Sequence, residues 1–279
     1  MILINGVSKD SVDIADRGFQ YGDGLFETLD VRNGQPVFLE QHLKRLKSGC
    51  QQLYIPFPGE TLLSLEAKNL SCQKSSGRAV LKIIVTRGSG GRGYRQPEII
   101  EPTRVLSLHP YPEYPESYQE QGIVARFCKT RLGLNPTLAG IKHLNRLEQV
   151  MARAEWSDPA IQEGLMLDIN NHVIEGTMTN LFYIKNNHLY TATLAQAGVA
   201  GIMRSIVISL SADCGFPVIE HIFTKDELLA ADEVFVCNSI IGIWPLRKIA
   251  TTCFAVGVIT KTLQKQLSSF IGPELIHGQ

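Results

Sequence analysis

The chain has 279 residues, of which 44% are hydrophobic and 19% charged, a balance that describes a folded globular protein and excludes a disordered one. Lys plus Arg (27) equals Asp plus Glu (27), so the net charge is zero and no basic excess exists for tracking nucleic-acid phosphates. At roughly 150 residues per domain, the length suits two domains.

Short β-branched runs predict strands over 1–4, 26–31, 79–86, 105–109, 123–127, 164–168, 181–184, 218–221 and 233–237. Between them, Leu39, Leu43, Leu46, Cys50 and Leu53 step by four, three, four and three, which marks one apolar helix face. Leu144, Leu147, Val150, Met151 and Ala154 repeat the pattern, and Asn145 with Glu148 reads as a capping box that opens a helix near Asn145. Two more helices are expected over 202–210 and 258–270, with 254–279 as a helix plus an end. The stretch 168–172 reads as a turn between two strands. Residues 110–120 (PYPEYPESYQE) carry three prolines and no periodicity. They read as a linker between an N-terminal α/β domain (1–115) and a C-terminal α/β domain (116–279). The expected class is α+β or mixed α/β, in two lobes.

The N-terminus meets acidic residues early and has no basic-then-apolar run, and apolar stretches such as 79–85 are far shorter than the ~20 residues of a membrane span. Six dispersed cysteines form no C-x-x-C pair, and the histidines form no H-x-x-x-H pair. The reading is a cytoplasmic protein with reduced thiols, no metal site, no membrane and no nucleic-acid partner.

The sequence GSGGRG at 88–93 matches G-x-G-x-x-G after a strand, but Tyr94-Arg95-Gln96-Pro97 is a poor opening for the helix a dinucleotide fold needs. A glycine loop dense in cations suits an anion better, because guanidinium forks match carboxylates. Arg87 or Arg92, with Tyr94, is the candidate grip on a substrate carboxylate. No G-x-S-x-G elbow, P-loop or H-E-x-x-H occurs. Lys142 stands among small and apolar neighbours just before a helix, where desolvation favours a neutral, carbonyl-reactive amine. Lys82, inside an apolar strand, rivals it on burial alone. Glu175 offers an acid at a strand end, 198–204 (GVAGIMR) a glycine turn opening a helix, and Arg45 a cation three residues after His42 on one helix face. Each is ordinary singly. Together they supply the amine, acid and phosphate donors that pyridoxal phosphate requires.

The motifs YGDGLFET (21–28), HLKRL (42–46), RGSGGRGY (87–94), GIKHLNR (140–146), EGTMTN (175–180) and AGVAGIMR (197–204) together resemble the fold type IV pyridoxal-phosphate family. That family holds branched-chain aminotransferases, D-amino-acid transaminases and aminodeoxychorismate lyases. The likeness runs from about residue 2 to about residue 250 and is strongest to the lyase branch. It implies a two-lobed, D-amino-acid aminotransferase-like fold with pyridoxal 5'-phosphate at the domain interface. By the resemblance Lys142 carries the cofactor, Glu175 pairs with its pyridine nitrogen, and Arg45 and the backbone at Ile202 bind its phosphate. Asn238 and Ser239 add phosphate contacts, and Thr179 and Asn180 seat the ring. It further implies elimination of pyruvate from 4-amino-4-deoxychorismate to leave 4-aminobenzoate, a step of folate synthesis, with Lys142 as base and Thr28 assisting the leaving group. A homodimer is implied, with Arg92 and Tyr94 serving the partner's site. Thr28 favours the lyase, whereas an acid at Glu27 is common in the alternative, a class IV aminotransferase acting on D-amino or branched-chain amino acids.

Overall fold

The computed structural model describes residues 1–272. The chain divides into two compact units. The first comprises Met1–Pro112 and Lys142–Asn145 with residues 271–272, and the second comprises Glu113–Ile141 and Arg146–Phe270.

The first unit is built on a six-stranded antiparallel sheet of β1 (Ile2–Ile4), β2 (Val7–Ser8), β3 (Gly24–Arg32), β4 (Gln35–Pro36), β5 (Arg78–Thr86) and β6 (Thr103–Pro110), in the order β2-β1-β6-β5-β3-β4. Its helices are α1 (Arg17–Tyr21), α2 (Leu39–Gln52) and α3 (Glu60–Ser71). The 3.6-residue apolar period put Leu39, Leu43, Leu46 and Cys50 on one face of α2, and all four are buried. Each such leucine contributes about 2 kcal/mol by leaving water. Helix α3 is absent from the sequence-based expectation. Its apolar residues include the exposed Leu62 and Leu65, which blur the period that Leu63, Ala67 and Leu70 trace inward.

The second unit holds α4 (Ser117–Glu120), β7 (Ile123–Leu132), α5 (Leu147–Arg153), β8 (Glu163–Asp168), β9 (Val173–Gly176), β10 (Asn180–Lys185), β11 (His188–Ala192), α6 (Ile202–Asp213), β12 (Val218–His221), α7 (Lys225–Leu229), β13 (Glu233–Asn238), β14 (Gly242–Ile249), β15 (Thr252–Cys253) and α8 (Val258–Ile271). The nine-stranded sheet runs β12-β11-β10-β13-β14-β7-β8-β9, and β9 pairs back onto β10 through Glu175 and Asn180. That pairing closes β10, β13, β14, β7, β8 and β9 into a barrel, which removes the free edges of those strands. Alternate residues of its strands fill one core: Ile123, Ala125, Leu165, Leu167, Leu181, Val234, Val236, Trp244 and Leu246. The expected turn 168–172 does join β8 to β9, with the Asp168 carboxylate accepting from the N–H groups of Asn170 and His172.

One local expectation is corrected. Asn145 and Glu148 form no capping box, because α5 starts at Leu147 and its N-cap residue, Arg146, makes no side-chain cap. Glu148 instead accepts from the Gly133 N–H, and Asn145 donates to the Gly22 carbonyl. Of the expected helix and end over 254–279, α8 is present and residues 273–279 lie outside the described residues. No helix among the described residues is long and apolar enough to cross a membrane.

Candidate active site

In the first unit, β3 and β5 pair in unbroken register, which sets Thr28 opposite Lys82. Side-chain alternation puts Phe26 and Thr28 on one face of β3 and Leu25, Glu27 and Leu29 on the other. The segment 142–145 adds itself beside β3: the Phe26 N–H donates to the Lys142 carbonyl (3.1 Å) and the Leu144 N–H to the Gly24 carbonyl (2.9 Å). Residue 24 must be glycine here, since a Cβ would lie 2.6 Å from the Val85 carbonyl oxygen and 2.9 Å from Leu144. The outcome is a face with two amines on one ring. Lys142 Nζ stands 4.2 Å from the Phe26 centroid and Lys82 Nζ 5.6 Å from it. Attraction to a ring face holds both ammonium groups over Phe26, on the face of β3 that also carries Thr28. Lys82 entered the sequence reading only as a rival to Lys142, and the structure makes it a neighbour.

On the opposite face of β3, Glu27 is 1% exposed. His42 and Arg45, three residues apart on α2, both reach it. Arg45 Nε donates to Oε1 (2.8 Å), Arg45 Nη2 donates to Oε2, and His42 Nδ1 lies 2.6 Å from Oε2. A carboxylate can only accept, so His42 carries its proton on Nδ1. Burial alone would raise the Glu27 pKa, but Arg45 and His42 overcome it and hold the carboxyl down at about 2. Burial pushes the His42 pKa down, against the pull of Glu27, so the imidazole is held neutral.

The structure gives Arg87 a task other than the expected substrate contact. It is 4% exposed, and its guanidinium donates to both Asp23 oxygens (2.8 and 3.0 Å) and to the carbonyls of Tyr54 (2.8 Å) and Leu53 (2.7 Å). Those carbonyls belong to the C-cap residue of α2 and the residue after it, so Arg87 ties down the chain as it leaves the helix and completes an ion pair. Arg92 and Tyr94 lie in the exposed loop after β5, with Tyr94 89% exposed and no helix opening after Gly93.

In the second unit, Glu175 and Asn180 form the pair that closes the barrel. Both also grip the peptides of Val199: its N–H donates to Glu175 Oε2 (2.8 Å), and Asn180 Nδ2 donates to its carbonyl (2.9 Å). Two further bonds tie Gly140 to Gly198 and Ala200 (2.9 and 3.0 Å). Helix α6 therefore begins at Ile202 on a segment fixed from two sides. Its N-cap is Gly201, and no side chain caps it, which leaves first-turn N–H groups to a ligand. A Cβ at Gly201 would lie 2.0 Å from Asn180 Oδ1. Arg146 donates to the Ile141 carbonyl, and its charge stands close enough to Glu175 to be felt.

Thr179 and Asn180, expected to seat a ring, hold the loop itself. Thr179 Oγ1 donates to Glu163 Oε2 (2.9 Å) and Thr177 Oγ1 to Glu163 Oε1 (2.6 Å). Glu163, buried at the start of β8, went unnoticed in the sequence because nothing local distinguishes an acid that opens a strand. Asn238 folds its own turn, accepting from Ile240 and Ile241 and donating to the Met178 carbonyl, and Ser239 follows it in that turn.

These donors suit a phosphorylated aromatic aldehyde. The first unit provides an amine beside an aromatic ring, Lys142, and a cation, Arg45; the second provides a buried carboxylate, Glu175, and the uncapped N-terminus of α6.

Residues 24–249 match the family model for amino-transferase class IV. An aminodeoxychorismate lyase of Vibrio harveyi is 38% identical over 96% of this chain and 100% of its own length. A D-alanine aminotransferase of Bacillus licheniformis is 30% identical over 97% and 96%. The crystal structure of 4-amino-4-deoxychorismate lyase from Pseudomonas aeruginosa superposes with a TM-score of 0.92 at 45% identity, covering 96% of this chain and 98% of that one. With its family motifs, its barrel and this near end-to-end likeness, the chain belongs to the class IV aminotransferase family, a fold type IV architecture.

Proposed function

We propose that this chain is a pyridoxal-phosphate-dependent lyase that converts 4-amino-4-deoxychorismate to 4-aminobenzoate and pyruvate. The observation that carries this reading is the face of β3 on which a hydroxyl, Thr28, accompanies two amines, Lys142 and Lys82. An elimination of an enolpyruvyl group needs a base at one carbon, a hydrogen-bond donor at the departing oxygen and a cation for a carboxylate. That face holds one of each.

Lys142 would hold the cofactor, Glu175 its pyridine nitrogen, and Arg45 with the N–H groups at Ile202 its phosphate. When bound, the cofactor supplies an electron sink for charge that develops at the amine-bearing carbon. Lys142 Nζ takes the proton from that carbon as general base. Thr28 Oγ1 donates to the ether oxygen as the C–O bond breaks, and a hydroxyl assists this departure rather than protonating it fully. The enolpyruvyl group leaves and gains a proton, equal to the one Lys142 removed, to become pyruvate; the ring becomes aromatic, and no second substrate, water or oxidant is consumed. Lys82 Nζ faces a substrate carboxylate, the charge-assisted contact that Arg87, already engaged by Asp23, does not supply. Arg92 and Tyr94 contribute from their exposed loop.

Glu27 does not favour the transaminase reading, because its carboxylate is consumed in clamping Arg45. We further propose a cytoplasmic homodimer. Its support is the apolar outer side of α5, where Leu147, Val150 and Met151 are each more than half exposed, and the free state of all six cysteines. Sedimentation of the purified protein at twice the chain mass supports the dimer, and a fully active monomer rules it out. The activity is tested by supplying substrate and cofactor without any keto acid and separating the products. 4-Aminobenzoate must form, and its absence from a cofactor-loaded protein refutes the lyase.

A further inference from the structure

Four glycines of the loop after β5 have left-handed backbone: Gly88, Gly90, Gly91 and Gly93 have φ of +82°, +112°, +78° and +57°. Such a segment loses more conformational freedom on ordering than any other composition, so something must hold it. One buried side chain supplies much of that hold. Arg17 on α1 is 4% exposed. Its Nε donates to Asp23 Oδ2 (2.9 Å), and its Nη1 points at three carbonyl oxygens of the loop, those of Gly90 (3.4 Å), Gly93 (3.0 Å) and Arg95 (3.4 Å). The Arg17 N–H adds a bond to the Gly88 carbonyl (2.9 Å). The guanidinium also lies 4.9 Å from the Tyr21 centroid, and Tyr21 in turn packs on Tyr94 at 5.7 Å. The loop wraps this group so closely that a Cβ at Gly91 would sit 2.3 Å from the Arg95 carbonyl oxygen and 3.2 Å from Arg17 Nη1.

We propose that Arg17 is the positioning residue for substrate recognition: it fixes the loop that presents Arg92 and Tyr94, though it does not itself touch substrate. This rests on the reading that Arg92 and Tyr94 contact substrate. The planar fork is what the role requires, since one face of the group meets a carboxylate while one nitrogen collects carbonyls, and an ammonium on a flexible stem cannot span both. Loss of the fork leaves the carbonyls unsatisfied and the glycines free to sample other conformations.

The test uses the cofactor-loaded protein and two variants, Arg17→Lys, which keeps the charge, and Gly91→Ala, which leaves Arg17 intact and breaks the wrap. Both are expected to raise KM for 4-amino-4-deoxychorismate at least about tenfold while kcat changes about twofold or less, the pattern of lost substrate positioning. Trypsin cleavage after Arg92 and Arg95 is expected to accelerate at least about tenfold, with cleavage elsewhere unchanged, because local opening exposes only this segment. If KM stays at the wild-type value while the loop is cleaved faster, the loop does not recognise substrate and the proposal fails. If cleavage accelerates uniformly along the chain, Arg17 only stabilises the fold and the proposal fails again. A wild-type protein that binds cofactor but releases no pyruvate refutes the lyase reading separately, and the trypsin comparison still reports on the loop.

Discussion

Glu27 holds Arg45 along both edges of one carboxylate, with Nε on Oε1 and Nη2 on Oε2, inside a protein that leaves Glu27 only 1% exposed. A bidentate pair fixes the plane of the guanidinium as well as its place. Replacing Glu27 by Gln leaves a half-buried cation short of its partner, a change that costs about 3–5 kcal/mol. Cofactor affinity is expected to fall with it, because Arg45 loses its orientation. The stabilisation also depends on pH in a defined sense. The Glu27 pKa is lowered from 4.5 to about 2, so its contribution is complete above 4.5 and disappears as pH falls from there towards 2. Urea unfolding of wild type and Glu27→Gln across that range should show the stability gap narrowing with acid, and a gap independent of pH would contradict the pairing.

His42 supplies the third hydrogen bond to Glu27 through Nδ1. Leucine at this position preserves bulk but leaves Glu27 Oε2 short of a buried donor, at a cost of about 1–3 kcal/mol. Asparagine places an N–H near the Nδ1 position and should recover part of that loss. Thermal unfolding of His42→Leu and His42→Asn compares them directly, and equal melting temperatures would show that the bond contributes nothing.

Lys142→Ala removes the proposed base and cofactor tether together. Turnover should fall at least about 1,000-fold, and the visible absorbance of the bound cofactor should bleach or shift. Retained turnover would pass the role to Lys82, the other amine on Phe26.

Lys82→Ala should raise KM about 10- to 100-fold by removing a charge-assisted contact, with cofactor affinity unchanged. Thr28→Val should instead lower kcat, by about tenfold, with KM and cofactor affinity preserved. Arg87→Ala should behave unlike either. Its four bonds to Asp23, Leu53 and Tyr54 are internal, so melting temperature is the quantity expected to drop. A KM effect at unchanged stability would restore Arg87 to the substrate site.

The elements that were legible in the sequence are those whose pattern is local. Helix α2 announced itself by the spacing of Leu39, Leu43, Leu46 and Cys50, and β12 by an isolated β-branched run at 218–221. His42 and Arg45, three residues apart, share one face of that helix, and both reach Glu27 from it. The barrel was hidden because its closure rests on a pairing of Glu175 with Asn180 and on a parallel pairing of β7 with β14, more than a hundred residues apart. Strands β11 and β14 escaped notice for a related reason. Tyr-Thr-Ala in one and a central proline in the other depart from simple alternation, and pairing on both sides overrides the weak local signal. Among candidate site residues, residue type alone could not tell Arg87, sealed by Asp23, from Lys82, stacked on Phe26. Both stand in strand β5 or at its end, and only the fold decides which cation is already paired.

The most direct test follows pyruvate over many turnovers when the cofactor-loaded protein meets excess 4-amino-4-deoxychorismate with no keto acid present. A lyase built on the Lys142, Lys82 and Thr28 face returns to its starting state each cycle, so pyruvate and 4-aminobenzoate should accumulate in equal amounts far beyond the enzyme concentration. A reaction that stops after one turnover, and restarts only when a keto acid is added, would contradict the elimination and make the chain a transaminase.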